Sequence, residues 1–275
     1  MALLDDPGAS RYAQHWSQWY SDHQSAMEWH LKLEVIQELL HPYLDRALSQ
    51  GGEILDIGCG SSTWGVELLR RWPASTTTLL DCVPELVAEL AKQYEGDSRV
   101  RCVVGDCRQL EVADGSVAVV LDKGTLDALD AKADQDGMLE EAVRVLSKTS
   151  GVLVSVSFPT ARRLLYLRRA AARYGLTLRT RIVRGAPERR LVALLGPDFE
   201  GIPDAPDALT TTTIDKLLYS GPMRDEPTVE FSHGALRVEV DQEGSRRQGE
   251  DETGRSVWPA SYAMAAWLCE NPEVV

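Results

Sequence analysis

The sequence has few of the features that mark metal, disulfide or membrane proteins. Its 275 residues include only five cysteines, without a C-x-x-C pair. Cys59, Cys82, Cys102 and Cys107 fall in or beside predicted buried strands, where cysteine packs as a small hydrophobe, so we expect reduced thiols and no metal site. No apolar run approaches the roughly 20 residues that span a bilayer. The N-terminus also lacks the basic residues of a secretory or transit peptide, and we expect a cytoplasmic protein.

The sequence also has fewer basic than acidic residues. The chain carries 29 Lys and Arg residues against 42 Asp and Glu residues, which gives a formal net charge of −13. This balance disfavours nucleic acid and anionic membrane as partners and favours a basic protein instead. The length and the 44% hydrophobic content suffice for one sizeable core plus an appendage.

The stretch ILDIGCGSST, which begins at Ile54, lacks one glycine of a common nucleotide-binding motif. An apolar run that carries one acid, Asp56, predicts a buried strand, and the glycines that follow predict a tight turn into a helix. The dinucleotide fingerprint requires a third glycine for a pyrophosphate, but the sequence has Gly58, Gly60 and then Thr63. An adenosine ligand without a pyrophosphate needs no third glycine, and S-adenosylmethionine is such a ligand. We therefore expect Asp56, Gly58 and Gly60 to contact it.

Helical and strand patterns then alternate along the chain, which predicts a parallel sheet with helices on both faces. The expected strands after the first are Thr76–Asp81, Val100–Asp106, Val117–Asp122, Gly151–Phe158, Leu176–Val183 and Arg190–Leu195. The last two are joined by a connection too short for a helix, so they should pair as an antiparallel hairpin. This predicted plan is α/β and Rossmann-like, and it resembles the seven-stranded sheet of class I methyltransferases.

Composition predicts three parts. Residues 1–50 form a helical entry, residues 51–198 form the cofactor-binding domain, and residues 199–275 form a linker and a partly structured appendage. The end of the appendage, residues 254–275, is similar to the lead-in of a different methyltransferase group. We therefore expect the chain to be the front part of a tandem methyltransferase, or a fragment of one, with a tail that adds nothing to catalysis.

Acidic residues end successive predicted strands, at the edge where open parallel sheets bind ligands. Asp81, followed by Cys82, is placed to accept hydrogen bonds from ribose hydroxyls. Asp106 is placed to accept one from an adenine amino group, with the backbone amide of Cys107 beside it. A strand-ending aspartate also serves often as a helix cap, and this alternative stays open for each acid alone.

The fourth strand continues into LDKGTLDAL, from Leu121 to Leu129. This run resembles the eukaryotic methyltransferase-like family whose characterised members methylate lysines of elongation factor 1-alpha and of citrate synthase, and the resemblance covers residues 11–196. Upstream, HWSQWYSDHQSAMEWH is similar to the family's Tyr-Trp-x-x-x-Tyr entry followed by a Trp, with His15 in place of the first Tyr.

The resemblance implies that Trp16, Tyr20 and Trp29 close over S-adenosylmethionine and that the backbone at Lys123 contacts it. A Trp-rich helix packed on the sheet is the alternative for the aromatic residues. Asp122 is the candidate to orient the amine that receives the methyl group, although it could instead simply pair with Lys123.

The predicted function is S-adenosylmethionine-dependent methylation of a lysine side chain on a protein resembling elongation factor 1-alpha. A Pro-Pro-Tyr after the acid of the fourth strand, typical of enzymes that methylate nucleobases, is absent, which disfavours that substrate. The alternatives are a small-molecule N-methyltransferase on the same fold and a catalytically silent cofactor-binding scaffold.

Two charged segments allow two interpretations each. Four aspartates follow the fourth strand, and they either attract a lysine-bearing surface or form a solvated loop. They are Asp127, Asp130, Asp134 and Asp136. The arginine-rich stretch over residues 161–190 either docks an acidic partner or an RNA, or is a solvated helix face.

Overall fold

The structure is a computed structural model that describes residues 7–22, 28–184, 189–202, 228–233 and 236–241. The predicted partly structured appendage and the tail over residues 254–275 lie largely outside these ranges. Two compact units divide the chain, residues 1–158 with 167–208, and residues 159–166 with 209–275. The predicted division into three parts stays a prediction.

The first unit holds most of the regular elements. Its chain order alternates strands and helices as the sequence pattern predicts. The bounds are α1 Pro7–Asp22, α2 Leu33–Leu48, β1 Glu53–Ile57, α3 Trp64–Arg71, β2 Thr76–Asp81, α4 Pro84–Gln93, β3 Val100–Val104, β4 Val117–Lys123, α5 Thr125–Ala128, α6 Lys132–Val145, β5 Val152–Ser157, α7 Ala161–Tyr174, β6 Thr177–Arg184 and β7 Arg189–Gly196. Helix α7 begins in a segment assigned to the second unit.

The seven strands form one sheet in the order β3-β2-β1-β4-β5-β7-β6. Strands β1 to β5 pair in parallel, and β7 is antiparallel to both β5 and β6. The strand order reverses between β1 and β4, and open α/β sheets bind ligands at the carboxyl ends of strands beside such a point. The predicted Rossmann-like sheet with its terminal antiparallel hairpin is confirmed.

The strands at the centre of the sheet are buried along almost their whole length, as parallel strands covered on both faces require. β4 (VAVVLDK) and β5 (VLVSVS) are both rich in Val, and α2 and α3 contribute Leu, Ile and Trp side chains to the same core cluster. Pro84 opens α4 at its first turn, where the missing N–H would have no partner within the helix. This core fixes the strand ends that carry the site.

Two observations depart from the expected elements. β3 ends at Val104, so Asp106 lies beyond the strand rather than at its last position. The chain leaves the sheet because Asp106 Oδ1 accepts a hydrogen bond from the Arg108 backbone N–H at 2.8 Å, which closes a local turn. In the second unit, β8 Thr228–His233 and β9 Leu236–Asp241 form an antiparallel pair where the sequence predicts no strand.

Among the described residues, no helix is both long and apolar enough to cross a membrane. The same described ranges contain no group of three or more His, Cys, Asp or Glu side chains arranged to hold a metal ion.

Candidate active site

One cavity opens at the carboxyl ends of the strands, around the point where the strand order reverses. Its walls come from α1, the segment that leads into α2, the glycine turn after β1, and the ends of β2 to β5. The residues of these walls that carry the argument are Trp16, Tyr20, Trp29, His30, Gly58, Gly60, Asp81, Cys82, Asp106, Cys107, Lys123, Gly124, Asp127 and Phe158. The structure therefore gathers most of the predicted site residues around a single space.

The glycine turn after β1 is held in a form that only glycine suits. Gly58 and Gly60 have φ values of +58° and +54°, in the left-handed region. A Cβ on Gly58 would collide with Thr125, and one on Gly60 would stand 2.5 Å from the Tyr20 hydroxyl oxygen. Thr125 Oγ1 also donates to the Ile57 carbonyl at 2.7 Å, which ties the turn after β4 to the glycine turn.

Asp81, at the end of β2, is 6% exposed and faces the cavity. Its Oδ2 accepts a hydrogen bond from Gly60 N at 2.9 Å, and its Oδ1 accepts one from Val83 N at 3.0 Å. Burial raises the pKa of Asp81, while these backbone donors oppose the shift. Each oxygen keeps further acceptor capacity, so the carboxylate fits the paired hydroxyls of a ribose.

Asp106 and Cys107 line the cavity beyond β3. Asp106 forms a bidentate ion pair with Arg108, whose Nη2 lies 2.6 Å from Oδ2, and Arg108 reaches Asp134 with its Nη1 at 2.6 Å. The carboxylate therefore shares its acceptor capacity with an arginine. The contact predicted between Asp106 and an adenine amino group stays a prediction.

The cysteines around the cavity are protonated packing groups. Burial raises the pKa of the Cys82 thiol to about 12 and places the pKa values of Cys59 and Cys107 well above their usual range. All three are free cysteines, as is Cys102. A neutral thiol is a poor nucleophile, so these side chains shape the wall rather than react.

Asp56 is buried beneath α3 and does not reach the cavity wall. Among the described residues its Oδ2 oxygen has no hydrogen-bond partner, and the side chain lies beside Gly65, where a Cβ would come within 3.4 Å of it. Burial raises the pKa of Asp56 from its usual 3.8 to about 7. The predicted direct contact with the cofactor stays a prediction, and the geometry indicates a role under the glycine turn.

Replacement of Asp56 by asparagine should change the pH dependence of stability. Because the folded state holds the proton to a higher pH than the unfolded chain, wild-type stability falls as pH rises between 3.8 and about 7. Relative to Asp56→Asn, it should fall by about 1.4 kcal/mol per pH unit in that window and then level off. Urea unfolding of both proteins across this range measures the difference, and parallel curves would contradict the shifted pKa.

The aromatic residues of the N-terminal region form one cluster over the cavity. Trp29 packs against Trp16 at 5.7 Å and against Trp19 at 4.8 Å between ring centroids, and Trp16 packs against Tyr20 at 6.4 Å. Trp16 and Tyr20 also contact the core cluster formed by Cys59, Leu79, Val83, Leu86 and Leu90. The cluster thus lines the cavity and also packs on the sheet, and its predicted closure over S-adenosylmethionine stays a prediction.

Trp29 offers a test of the two roles, because it is 36% exposed and lines the cavity. We expect Trp29→Ala to weaken S-adenosylmethionine binding by about 1 kcal/mol and to lower the melting temperature only slightly. Trp72→Ala is the matched control, because Trp72 is 7% exposed in the core away from the cavity. It should lose about 3 kcal/mol or more of stability. A Trp29→Ala protein with a large stability loss and unchanged affinity would show a purely structural role.

The segment that carries Trp29 is fastened to the strand ends by Glu28. Its Oε1 forms an ion pair with Lys123 Nζ, and its Oε2 accepts a hydrogen bond from Ser62 Oγ at 3.4 Å. Lys123 is nearly buried, with a 6% exposed side chain, and lies 5.9 Å from the Trp64 ring centroid. The predicted backbone contact of Lys123 with the cofactor stays a prediction, while its side chain links β4 to the N-terminal segment.

Asp122 does not line the cavity. Its Oδ1 accepts a hydrogen bond from Leu126 N at 3.0 Å, and its Oδ2 accepts one from Ser155 Oγ at 2.6 Å. The side chain is 1% exposed and therefore holds the turn after β4 against β5. Its predicted role in orienting the amine stays a prediction, and the structure instead places His30 and Asp127 on the cavity wall.

The aspartates after β4 are engaged within the protein. Asp130 pairs with Arg11 at 2.8 Å, Asp134 with Arg108 at 2.6 Å, and Asp136 with Lys132 at 2.6 Å. Tyr12 donates hydrogen bonds to Asp130 and Asp134, which fastens α1 to this segment. The acidic segment thus anchors the N-terminal helix, and only Asp127 among its four aspartates lines the cavity.

Sequence reasoning overlooked Glu28, His30 and Phe158. Glu28 and His30 flank Trp29, so the aromatic motif passes through them, but a glutamate and a histidine in such a motif carry no pattern of their own. Phe158 closes the predicted fifth strand. Only the proximity of β4 and β5 in the sheet shows that Phe158 and Asp127 meet, with the Phe158 N–H donating to Asp127 Oδ2 at 3.0 Å.

These residues fit S-adenosylmethionine. The buried carboxylate of Asp81 suits a ribose, and the glycine turn beside it leaves room that a Cβ on Gly60 would fill against Tyr20. The neutral, largely apolar wall of aromatic and cysteine side chains suits an adenine ring and a thioether carbon chain.

Comparison with known proteins agrees with this geometry. A family profile described as "Methyltransferase domain" matches residues 54–149. EEF1A lysine methyltransferase 4 of Mus musculus is 35% identical over 152 residues, which cover 52% of this chain and 57% of the mouse protein. The protein of the same name from Bos taurus is 34% identical over 182 residues, which cover 62% of this chain and 69% of the bovine protein. The chain therefore spans little more than half of the mouse relative.

Among solved structures, the 1,6-didemethyltoxoflavin-N1-methyltransferase of Burkholderia thailandensis, with bound 1,6-didemethyltoxoflavin and S-adenosylhomocysteine, has a TM-score of 0.55. It shares 19% sequence identity and covers 71% of this chain and 90% of its own. A likeness at this identity establishes the fold alone.

The strand order, the glycine turn and the carboxylate at the end of β2 define a class I methyltransferase domain, whose cofactor is S-adenosylmethionine. The chain belongs to the methyltransferase family that includes EEF1A lysine methyltransferase 4. The predicted family, fold class and cofactor are confirmed.

Proposed function

We propose that this protein transfers a methyl group from S-adenosylmethionine to the side-chain amine of a lysine in a protein substrate. The proposal rests above all on the shape of the cavity. Trp29 and Phe158 line it and are 36% and 44% exposed, so these two rings form a mouth open to solvent. An open mouth admits a side chain that projects from a protein surface, whereas a small-molecule enzyme benefits from a sealed pocket.

The wall of this mouth suits the chemistry of lysine. The side chain of lysine is a long alkyl stem with a terminal ammonium group, and aromatic rings bind both parts, the stem by apolar contact and the charge by cation–π attraction. S-adenosylmethionine supplies the methyl group as a sulfonium, and the amine must reach it unprotonated. An apolar channel lowers the pKa of a lysine, so no strong base is required.

The names of the relatives point to elongation factor 1-alpha as the substrate, and the net charge of −13 favours a basic protein over nucleic acid. We further propose that the protein works in the cytoplasm, since the cysteines of its described part are free thiols.

Incubation with labelled S-adenosylmethionine and a eukaryotic cell lysate tests the proposal. We expect label on a lysine of one or a few proteins, identified by mass spectrometry, and strongly reduced label with the Asp81→Ala variant. Label confined to small molecules would favour the small-molecule N-methyltransferase instead. A wild-type protein that binds the cofactor but labels nothing would favour the scaffold.

A further inference from the structure

The cavity has two ends, set by the strand order. The ends of β2 and β3 carry Asp81 and Asp106 on one side, and the ends of β4 and β5 carry Asp127 and Phe158 on the other. Because the first side holds the groups that suit adenosine, the amine that receives the methyl group should enter from the second. His30 faces this second side, with its ring 5.2 Å from that of Phe158.

His30 has a nearly buried side chain whose ring nitrogens form no hydrogen bond to any residue that the structure describes. The side chain is 4% exposed, and Nδ1 is buried without a partner. Within the described part of the chain, Nε2 also forms no hydrogen bond. Burial, with the charges of Arg190 and Lys123, lowers the pKa of His30 to about 4, so the ring is neutral near neutral pH and one nitrogen is an acceptor.

Gly124 makes room for the His30 ring, at a backbone position that only glycine can occupy. Gly124 has a φ of +88°, and a Cβ there would collide with His30 Nε2. The glycine of the Lys-Gly-Thr-Leu-Asp run thus lets the imidazole approach the turn after β4. This places Nε2 beside the aspartate that ends the same run.

Asp127 lies across from this nitrogen. Its Oδ2 is 3.9 Å from His30 Nε2, too far for a hydrogen bond between them, and its side chain is 15% exposed. The Phe158 N–H donates a hydrogen bond to Asp127 Oδ2 and so positions the carboxylate. A single nitrogen about 2.9 Å from each atom fits across the gap and hydrogen-bonds to both.

We propose that His30 and Asp127 form the binding site for the acceptor amine. Asp127 attracts the ammonium group of the lysine, and Nε2 of His30 accepts a hydrogen bond from the amine once it has lost a proton to solvent. Together they fix the direction of the nitrogen lone pair. This inference rests on the proposed function, since it names the residues that hold its substrate.

Methyl transfer at this site forms one bond and breaks one. The amine nitrogen forms a bond to the methyl carbon with its lone pair, and the bond from that carbon to sulfur breaks with its electron pair on sulfur. The products are a thioether and a methylammonium, which loses a proton to solvent. The imidazole takes no proton in this sequence, in keeping with its low pKa.

Steady-state methylation of purified elongation factor 1-alpha tests the proposal. Asp127→Asn keeps an oxygen for the Phe158 N–H but removes the charge, and we expect at least about a tenfold rise in KM for the acceptor protein. His30→Leu should lower kcat about tenfold or more, and His30→Gln, whose amide oxygen can replace Nε2, should recover part of it. Calorimetry should show S-adenosylhomocysteine affinity within about twofold of wild type throughout.

Asp136→Asn is the matched control, because Asp136 lies in the same segment but pairs with Lys132 outside the cavity lining. It should leave both kinetic constants unchanged. The proposal is overturned if Asp127→Asn and His30→Leu behave like Asp136→Asn. It is also overturned if they act only by weakening the binding of S-adenosylhomocysteine, or if His30→Gln is no better than His30→Leu.

Sinefungin tests the amine site independently of the choice of substrate. It is an analogue of S-adenosylmethionine in which an amine-bearing carbon replaces the methylsulfonium group. Its ammonium group therefore lies next to the position of the acceptor amine. Wild type should bind sinefungin more tightly than S-adenosylhomocysteine, and Asp127→Asn should lose that preference. If it does so while elongation factor 1-alpha is not methylated, the amine site stands and the proposed substrate is wrong. A preference that survives Asp127→Asn contradicts the amine site whatever the substrate.

Discussion

Replacing Asp81 by alanine is expected to weaken S-adenosylmethionine binding by about 1.5 to 3 kcal/mol, or roughly ten- to hundredfold. The carboxylate is 6% exposed on the cavity wall, so its hydrogen bonds to a ribose form away from competing water. The substitution also releases Gly60 N, which donates to Oδ2, and so loosens the neighbouring glycine turn. Isothermal titration calorimetry measures the change directly.

Asp97→Ala serves as the control for this experiment. Asp97 precedes β3 at the opposite end of the strands, where it pairs with Arg99 at 2.7 Å on the surface. Its loss should leave cofactor affinity unchanged. Equal affinities for Asp81→Ala and Asp97→Ala would show that the end of β2 does not bind the cofactor and would remove the main support for the site.

The second large effect concerns the ion pair between Glu28 and Lys123. Lys123 has a 6% exposed side chain and Glu28 a 21% exposed one, so either residue alone would be left as a poorly solvated charge. We expect Glu28→Gln and Lys123→Met each to lower the free energy of unfolding by about 2 kcal/mol. Because Glu28 fastens the segment that carries Trp29 and His30, both variants should also weaken cofactor binding.

A double-mutant cycle isolates this pair. The variant with both substitutions should be less destabilised than the sum of the single variants, with a coupling of about 1 to 3 kcal/mol. The exposed pair Lys132–Asp136, with side chains 71% and 32% exposed, is the reference and should couple by less than about 0.5 kcal/mol. Additive effects at Glu28 and Lys123 would show that the two charges do not hold the N-terminal segment to the sheet.

The fold was largely predictable because its signals are local and repeated. Each buried strand is a short apolar run, each helix has its own period, and the short connection before β7 requires a hairpin. The end of β3 was placed two residues too far, since Asp106 looks like a strand residue until Arg108 is seen to close a turn on it. The β8–β9 pair was not predicted, although Val229, Phe231, Leu236, Val238 and Val240 alternate with polar residues as in a strand, because the linker-like composition of the surrounding segment outweighed that signal.

Which residues line the cavity was predictable where one residue carries its own signal, as for Gly58, Gly60 and Asp81. The role of a residue was not predictable where it depends on partners that are distant in sequence. Asp122 resembles a functional strand-ending acid, yet Ser155 and the turn after β4 use its carboxylate. His30 becomes notable only when Gly124 and Asp127, about a hundred residues later, are brought beside it.

The aspartates after β4 are a second case in which the sequence alone did not predict the role of a residue. Its aspartates suggest a surface that attracts lysines, but Arg11, Tyr12 and Arg108 bind two of them and so attach α1 to the domain. A count of charges along the chain cannot distinguish carboxylates paired inside the protein from those that face a partner. The pairing is a property of the packed fold.

The most direct test of methyl transfer to a protein lysine is to locate the transferred methyl group. Purified elongation factor 1-alpha is incubated with the protein and with S-adenosylmethionine that carries a deuterated methyl group, then digested and sequenced by tandem mass spectrometry. The proposed function predicts deuterated methyl on a lysine side-chain nitrogen, and strongly reduced label when Asp81→Ala replaces the wild type. Label on another atom, or no label from a wild-type protein shown to bind the cofactor, would contradict it.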